Sequence, residues 1–365
     1  MNDRPGAAQH RVLVTGAAGY VGAMLVDLFS QRTDVSHVIG IDKEPLPEWI
    51  AALPMAMSKL TYIVANIADN SWQAEAAALE PDIVIHTAWQ IREMYGKKRE
   101  QWRWNVTGSD KAFDFAFGTP SVKKLIHFST VASYGSFPTN TVEHRFNESE
   151  PFRKSDYLYA EEKRISEEHL KERYEAARRA GSRVQVAIIR PAALTGPRGR
   201  YMRVRFGLQA TLSGQLKSSK APIHRLISAM VSFVPITRKW LRQFIHEDDI
   251  ADITALLAFQ PLKTDYEAFN ACPPGDVVLG RDMAAAVGKK AVTIPPILIR
   301  LVFFVMWHIS RGKVPTSKGG WKSYSYPIAV DGSKLTRMYG YQYRWPSKEA
   351  FVKREGRYMK YVDTN

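Results

Sequence analysis

Cysteine is nearly absent: the 365-residue chain holds one, Cys272, which cannot form an internal disulfide. Met1 to Arg11 contains no apolar run of the kind a signal peptide needs, so the expected setting is a reducing cytoplasm and the first ten residues read as a loose tail. No stretch is long enough to cross a bilayer. The most apolar segment, Ile294 to Ile309, falls short of the about 20 residues a span requires and carries Arg300. Acidic residues are missing in blocks. None lies between Ala176 and His246, where 14 Lys or Arg occur, and none between Met283 and Val330, where there are seven. These blocks hold more than the whole net charge of +15. They suit a solvated basic face, an anionic substrate such as a nucleotide diphosphate, or an anionic membrane surface. No nucleic-acid motif accompanies the charge, so nucleic acid is not an expected partner. The 45% hydrophobic content is enough for a full core in one large α/β domain or two lobes.

Several segments carry chemistry. Arg11 to Val14 reads as a buried strand and runs straight into Thr15-Gly-Ala-Ala-Gly-Tyr-Val-Gly22 and a helix. That is the context of a phosphate-binding turn. Gly16 permits the bend, Gly19 lets backbone approach a pyrophosphate, Gly22 lets the helix pack close, and the helix N-terminus offers unpaired N–H groups. A second strand, Val38 to Asp42, ends in a carboxylate 20 residues after Gly22, where an adenosine ribose would be read. Asp42 favours NAD over NADP, although the adjacent Lys43 could tolerate a 2′-phosphate. Strands at Leu60 to Ala65 and Asp82 to Ala88 bring Asn66 and Asp69 towards the adenine, and His86, Ala88 and Trp89 towards the middle of the cofactor; His86 suits a packed strand end equally well. Asn105 reads as the opening of a helix. Lys124 to Phe128 leads into hydroxyls at Ser129 and Thr130, and Val184 to Arg190 is a sixth strand. Strands alternating with helices predict a Rossmann-type, doubly wound parallel sheet. Tyr159 and Lys163 lie one helical turn apart, so the ammonium is expected to draw the phenol's pKa down towards working pH and make it an acid/base for a secondary alcohol.

Taken together, these residues resemble the extended short-chain dehydrogenase/reductases, the NAD-dependent epimerase/dehydratase superfamily. The resemblance rests on TGAAGYVG at 15 to 22, HTA at 86 to 88, NVTG at 105 to 108, FSTVASYG at 128 to 135, YAEEK at 159 to 163, RPAALTGP at 190 to 197, FIHEDDIA at 244 to 251 and VDGSKL at 330 to 335. It implies Tyr159 as catalytic acid/base, Lys163 as the residue tuning it and holding the nicotinamide ribose, Thr130 as a substrate-oxygen contact and Asn105 as a structural residue near the cofactor. Further cofactor contacts are expected from Tyr20, Val21, Ile67, Ser129 and Pro191. Where dehydratases of the superfamily carry Asp-Glu after the Thr, and decarboxylases keep the Glu, this chain has Val131 and Ala132. Neither activity is expected. Ala193 stands where many nucleotide-sugar epimerases have Asn, a departure shared with sterol-dehydrogenase branches.

The expected domains are a cofactor domain over 11–191 with 243–264 returning to it, a substrate lobe from 192–242 and 265–330, and a C-terminal segment, 331–365. Candidate substrate contacts are Trp89, Thr130, Ala193, Arg198 and Arg300, and no metal site is expected. The substrate expectation leans to a nucleotide sugar, with a sterol-like or lipid alcohol as the alternative and a non-catalytic dinucleotide sensor as the rival class. Two apolar runs with cationic flanks, Leu226 to Ile236 and Ile294 to Ile309, suit pocket walls or contact with an anionic membrane. A homodimer is compatible with this reading.

Overall fold

The computed structural model describes residues 9–199, 233–286, 289–313 and 315–361. Seven strands form one sheet: β1 His10–Thr15, β2 Val35–Asp42, β3 Leu60–Val64, β4 Ile83–His86, β5 Lys124–Phe128, β6 Gln185–Pro191 and β7 Tyr266–Ala271. Their spatial order is β7-β6-β5-β4-β1-β2-β3 with every pair parallel. Both faces of the sheet are covered, which is why these strands read as apolar runs rather than as alternation. In β1, Val12 and Val14 point into one core and Leu13 into the other, all fully buried. The sequential direction of the strands reverses between β1 and β4, and a crevice opens there at the carboxyl ends, where doubly wound sheets bind ligands.

The glycine turn leads directly into α1, Tyr20–Ser30. A continuous helical stretch covers Lys98–Trp102, a π turn at Arg103–Thr107, and α2, Gly108–Gly118. Asn105 therefore lies inside a helix and does not open one. Its amide is satisfied by tertiary partners, so it has no capping role. The long helix α3, Leu158–Arg179, carries the Tyr and Lys, and α4, Glu247–Phe259, brings the chain back against α1 and β5.

Tyr266–Ala271, expected in the lobe, is instead the edge strand of the main sheet, in register from Tyr266 beside Val186 to Ala271 beside Pro191. An edge strand is only half covered. Tyr266, Glu267 and Ala268 are partly exposed, so the continuous apolar run that marks the other strands is missing. The lobe has its own small core of Ile236, Trp240, Phe244, Val278 and Met283, to which the C-terminal segment adds Ala350. Further on, Tyr358 is buried against Met24 of α1, so 331–361 binds lobe and sheet together. Phe233–Ile236 is a strand paired with Lys290–Thr293. The rest of the run from Leu226 lies outside the described residues.

A buried ion pair fixes β6 to α3. Arg190 donates from Nε to Glu167 at 3.1 and 3.2 Å and from Nη1 to the Tyr134 hydroxyl at 2.9 Å. Its guanidinium also lies 4.2 Å from the Phe152 ring centroid. Burial by itself would pull the Arg190 pKa down, and the Glu167 charge overrides it and pushes the value up.

Candidate active site

The crevice is a cavity of about 760 Å³ lined by the glycine turn, the ends of β2 to β6 and the lobe. At its floor Gly16 has φ +74°, and a Cβ there would come within 2.6 Å of the Ala88 nitrogen. A Cβ on Gly22 would sit 2.0 Å from the Gly16 carbonyl oxygen. The turn thus keeps its shape only with glycine at both positions. Asp42 accepts from the backbone N–H of Ala18 and of Glu44, each at 3.0 Å, which anchors the carboxylate at the cavity wall. Lys43 is paired with Glu44 and lies over the Trp104 ring, so its charge is partly neutralised beside the ribose position. Asn66 and Ile67 line the cavity, whereas Asp69 is paired with Arg103 and does not.

His86 is a packed strand-end residue. Fully buried, it is bonded to the Thr15 hydroxyl at 2.7 Å and the Ser109 hydroxyl at 2.8 Å, and burial lowers its pKa to about 3, so the ring is neutral. The loop after β4 is held by Asn105, which accepts from the Gln90 N–H at 2.7 Å and donates to the Gln90 carbonyl at 3.0 Å and to Glu162 at 2.7 Å. Asn105 thereby fixes the backbone next to Ala88 and Trp89.

Tyr159, Lys163 and Thr130 meet at one wall. The Tyr159 phenol faces the Thr130 hydroxyl, which accepts from the Ala132 N–H at 3.1 Å. Lys163 donates to the Phe128 carbonyl, and its ammonium lies 3.6 Å from the Trp89 ring centroid. Burial pulls the Lys163 pKa well down, with Glu167 and Glu162 opposing. Burial likewise raises the Tyr159 phenol, and the opposing influence is the Thr130 hydroxyl. The expected lowering of Tyr159 by Lys163 is therefore corrected. The Lys163 side chain is engaged by a carbonyl and an indole, and the largest influence on the phenol is its loss of water. Two buried polar atoms beside this wall, Trp89 Nε1 and Ser129 Oγ, have no protein hydrogen-bond partner. With the glycine cradle, Asp42, Asn66 and Pro191 they form a continuous surface that fits a dinucleotide.

Of the candidate substrate residues, Trp89, Thr130 and Ala193 line the cavity. Arg198 does not. It donates to the Tyr20 carbonyl at 3.1 Å and stacks over Trp49 at 4.5 Å, supporting the turn from behind. Arg300 is exposed on the outer side of its helix, 5.7 Å from the Trp321 ring centroid. Val21 lines the cavity, and the Tyr20 hydroxyl donates to Glu247, a carboxyl that burial raises to about 7. The sequence reading did not single out Tyr157, Arg242, Gln243, Phe303, Ser317 and Tyr324 as cavity residues. Tyr157, two residues before Tyr159, is the one a local signal could have found; the others come from distant parts of the lobe.

A parallel sheet with this strand order and this turn defines a Rossmann-type dinucleotide fold. The sequence from 12 to 272 matches the NAD dependent epimerase/dehydratase family, and the chain belongs to that family of enzymes. None of the curated proteins matches the sequence. Among solved structures the chain is similar to WbmG of Bordetella bronchiseptica in complex with NAD and UDP, at 20% identity over 95% of this chain and 93% of that one, with a TM-score of 0.66. It is also similar to the UDP-glucose 4-epimerase of Thermus thermophilus in complex with NAD, at 20% identity over 94% and 96%, TM-score 0.64. A short-chain dehydrogenase/reductase superfamily protein of Agrobacterium tumefaciens with bound NAD gives 15% identity over 94% and 95%, TM-score 0.66. At these identities the likeness is one of fold. No described helix is long and apolar enough to cross a membrane, and no group of metal-ligating side chains occurs among the described residues.

Proposed function

We propose that this chain oxidises and reduces a secondary alcohol with NAD, using Tyr159 as proton acceptor and donor, Thr130 as the contact for the substrate oxygen and Lys163 held behind them. The observation that carries the reading is the meeting of Tyr159, Thr130 and Lys163 at the wall of a cavity whose floor is the glycine turn. Bound NAD supplies the hydride acceptor and a positive charge that favours the tyrosinate. Thr130 orients the alcohol oxygen so that its proton faces Tyr159. The Phe128 carbonyl and Trp89 hold Lys163 at this wall, which supports a role for it in holding the nicotinamide ribose. Val131 and Ala132 line the cavity after Thr130 and offer no carboxylate, which supports excluding dehydration and decarboxylation.

Asp42 supports NAD over NADP, because its carboxylate would accept from ribose hydroxyls and repel a 2′-phosphate. Titration should show tighter binding of NAD. Asp42→Ala should narrow the preference by about tenfold, the worth of one bond to a charged acceptor. Tighter binding of NADP by the wild type would refute this role.

For the substrate, a nucleotide sugar is supported by the UDP and UDP-glucose held by neighbours of this fold and by Arg242 in the cavity wall. A second reading, an apolar or sterol-like alcohol, is favoured by the aromatic wall of Trp89, Tyr157, Phe303 and Tyr324. A screen of nucleotide sugars and hydroxysteroids, read by NADH absorbance and by product analysis, separates the readings. Sugar turnover, with or without net NADH, upholds the first; NADH from hydroxysteroids alone upholds the second, and no turnover with NAD bound would leave a sensor.

A further inference from the structure

The helix α5, Pro296–Ile309, is a single wall between the cavity and the outside. Its inner face is Ile299, Phe303 and Trp307, all buried, and Phe303 lines the cavity. Its outer face is largely apolar too, with His308 the polar residue on it near the C-terminal end, against Phe304 and the Tyr95 hydroxyl. Leu298, Leu301, Val302, Phe304, Val305 and Ile309 are between 41% and 75% exposed, and their spacing places them on one continuous side. Isolated exposed apolar residues are ordinary in soluble proteins, but a contiguous patch on one helix marks a contact surface. The helix is fixed to the cofactor domain, since Arg92 donates to the carbonyls of Gly312, Lys313 and Pro315 at 3.2, 2.7 and 3.3 Å.

The rim of the patch decides what covers it. Arg300 lies on the helix itself and Arg311 and Lys313 follow directly after it, all three exposed, and the sequence from Met283 to Val330 has no carboxylate. Among the described residues, two carboxylates that meet this stretch from elsewhere are engaged there, Glu93 by Ser317 and Asp156 by Lys322. A second copy of the chain on this face would place the same cations against themselves across a twofold axis. A surface that is anionic at the level of the rim and apolar beneath it satisfies both parts of the patch. Fourteen residues make a helix about 21 Å long, shorter than a hydrocarbon core of about 30 Å, so it lies in the plane of such a surface. We propose that the outer face of α5 seats this enzyme on an anionic phospholipid bilayer, with the catalytic cavity directly behind the docked helix. The proposal does not depend on which alcohol is oxidised.

Co-sedimentation of the full-length protein with vesicles tests it. At low salt the protein should pellet with phosphatidylcholine vesicles containing phosphatidylglycerol and stay in the supernatant with phosphatidylcholine alone. Each cation that reaches the surface should contribute roughly fivefold to partitioning, declining as salt rises. Leu301→Glu with Val305→Glu, both on the outer face, should lower partitioning at least about tenfold with NAD binding in solution unchanged. Recovery in the supernatant with both vesicle types, equal binding to both, or undiminished binding by the double variant would overturn the proposal. So would a dimer in sedimentation velocity that the double variant splits, which would make this face a protein contact. A wild type that pellets yet binds no NAD would count against the enzymatic reading and leave the surface intact.

Discussion

Tyr159→Phe should lower turnover about a hundred- to ten-thousandfold, the usual contribution of a placed general acid/base, while NAD binding stays within a few-fold of wild type. Only the hydroxyl is removed. The ring keeps its place at the cavity wall, 5.6 Å from the Tyr157 centroid. The sign of the pH dependence follows from the same site. Burial disfavours the phenolate and raises the Tyr159 pKa, so near neutral pH the phenol is protonated. Oxidation needs the base form and should accelerate as pH rises towards that raised value; reduction needs the acid form and should slow over the same range. The phenylalanine variant should lose this limb in both directions. Steady-state rates with the true substrate across pH, together with a separate NAD titration, check the prediction. A variant retaining turnover within a few-fold would remove Tyr159 from its role, and a loss of NAD affinity parallel to the loss of rate would make it a binding residue only.

Glu167→Ala should be the most damaging single change to stability, at roughly 3–5 kcal/mol. It leaves the Arg190 guanidinium buried between Tyr134 and Phe152 without its counter-charge. The cost is desolvation of an unpaired cation and need not equal the net worth of the pair. Accordingly, the double variant Arg190→Met with Glu167→Leu should recover most of the loss, because apolar groups of similar volume replace buried pairs at little cost. Urea unfolding at fixed pH, compared among wild type, single and double variants, reads both numbers. A single variant within about 1 kcal/mol of wild type, or a double variant no better than the single, would show that the pair does not anchor β6 to α3.

The locally encoded parts of this protein could be read from its residues. The turn from Gly16 to Gly22 works because backbone sterics admit only glycine where Ala88 and the Gly16 carbonyl come so close. Buried strands announce themselves as apolar runs when both faces of the sheet are covered, and the one-turn spacing of Tyr159 and Lys163 is a property of any helix. Neighbours brought together from far along the chain are not written this way. The edge position of Tyr266–Ala271 depends on its pairing with β6, and Asn105 became an internal brace because Gln90 and Glu162 meet it there. Arg198 and Arg300 looked alike as basic residues of the lobe, yet one supports the glycine turn and the other faces outward. The ionisation of Tyr159 was decided last and by tertiary structure. Sequence spacing puts Lys163 nearby, but packing decides how much water the phenol loses and what the Lys163 side chain faces, and desolvation is the largest influence on the phenol.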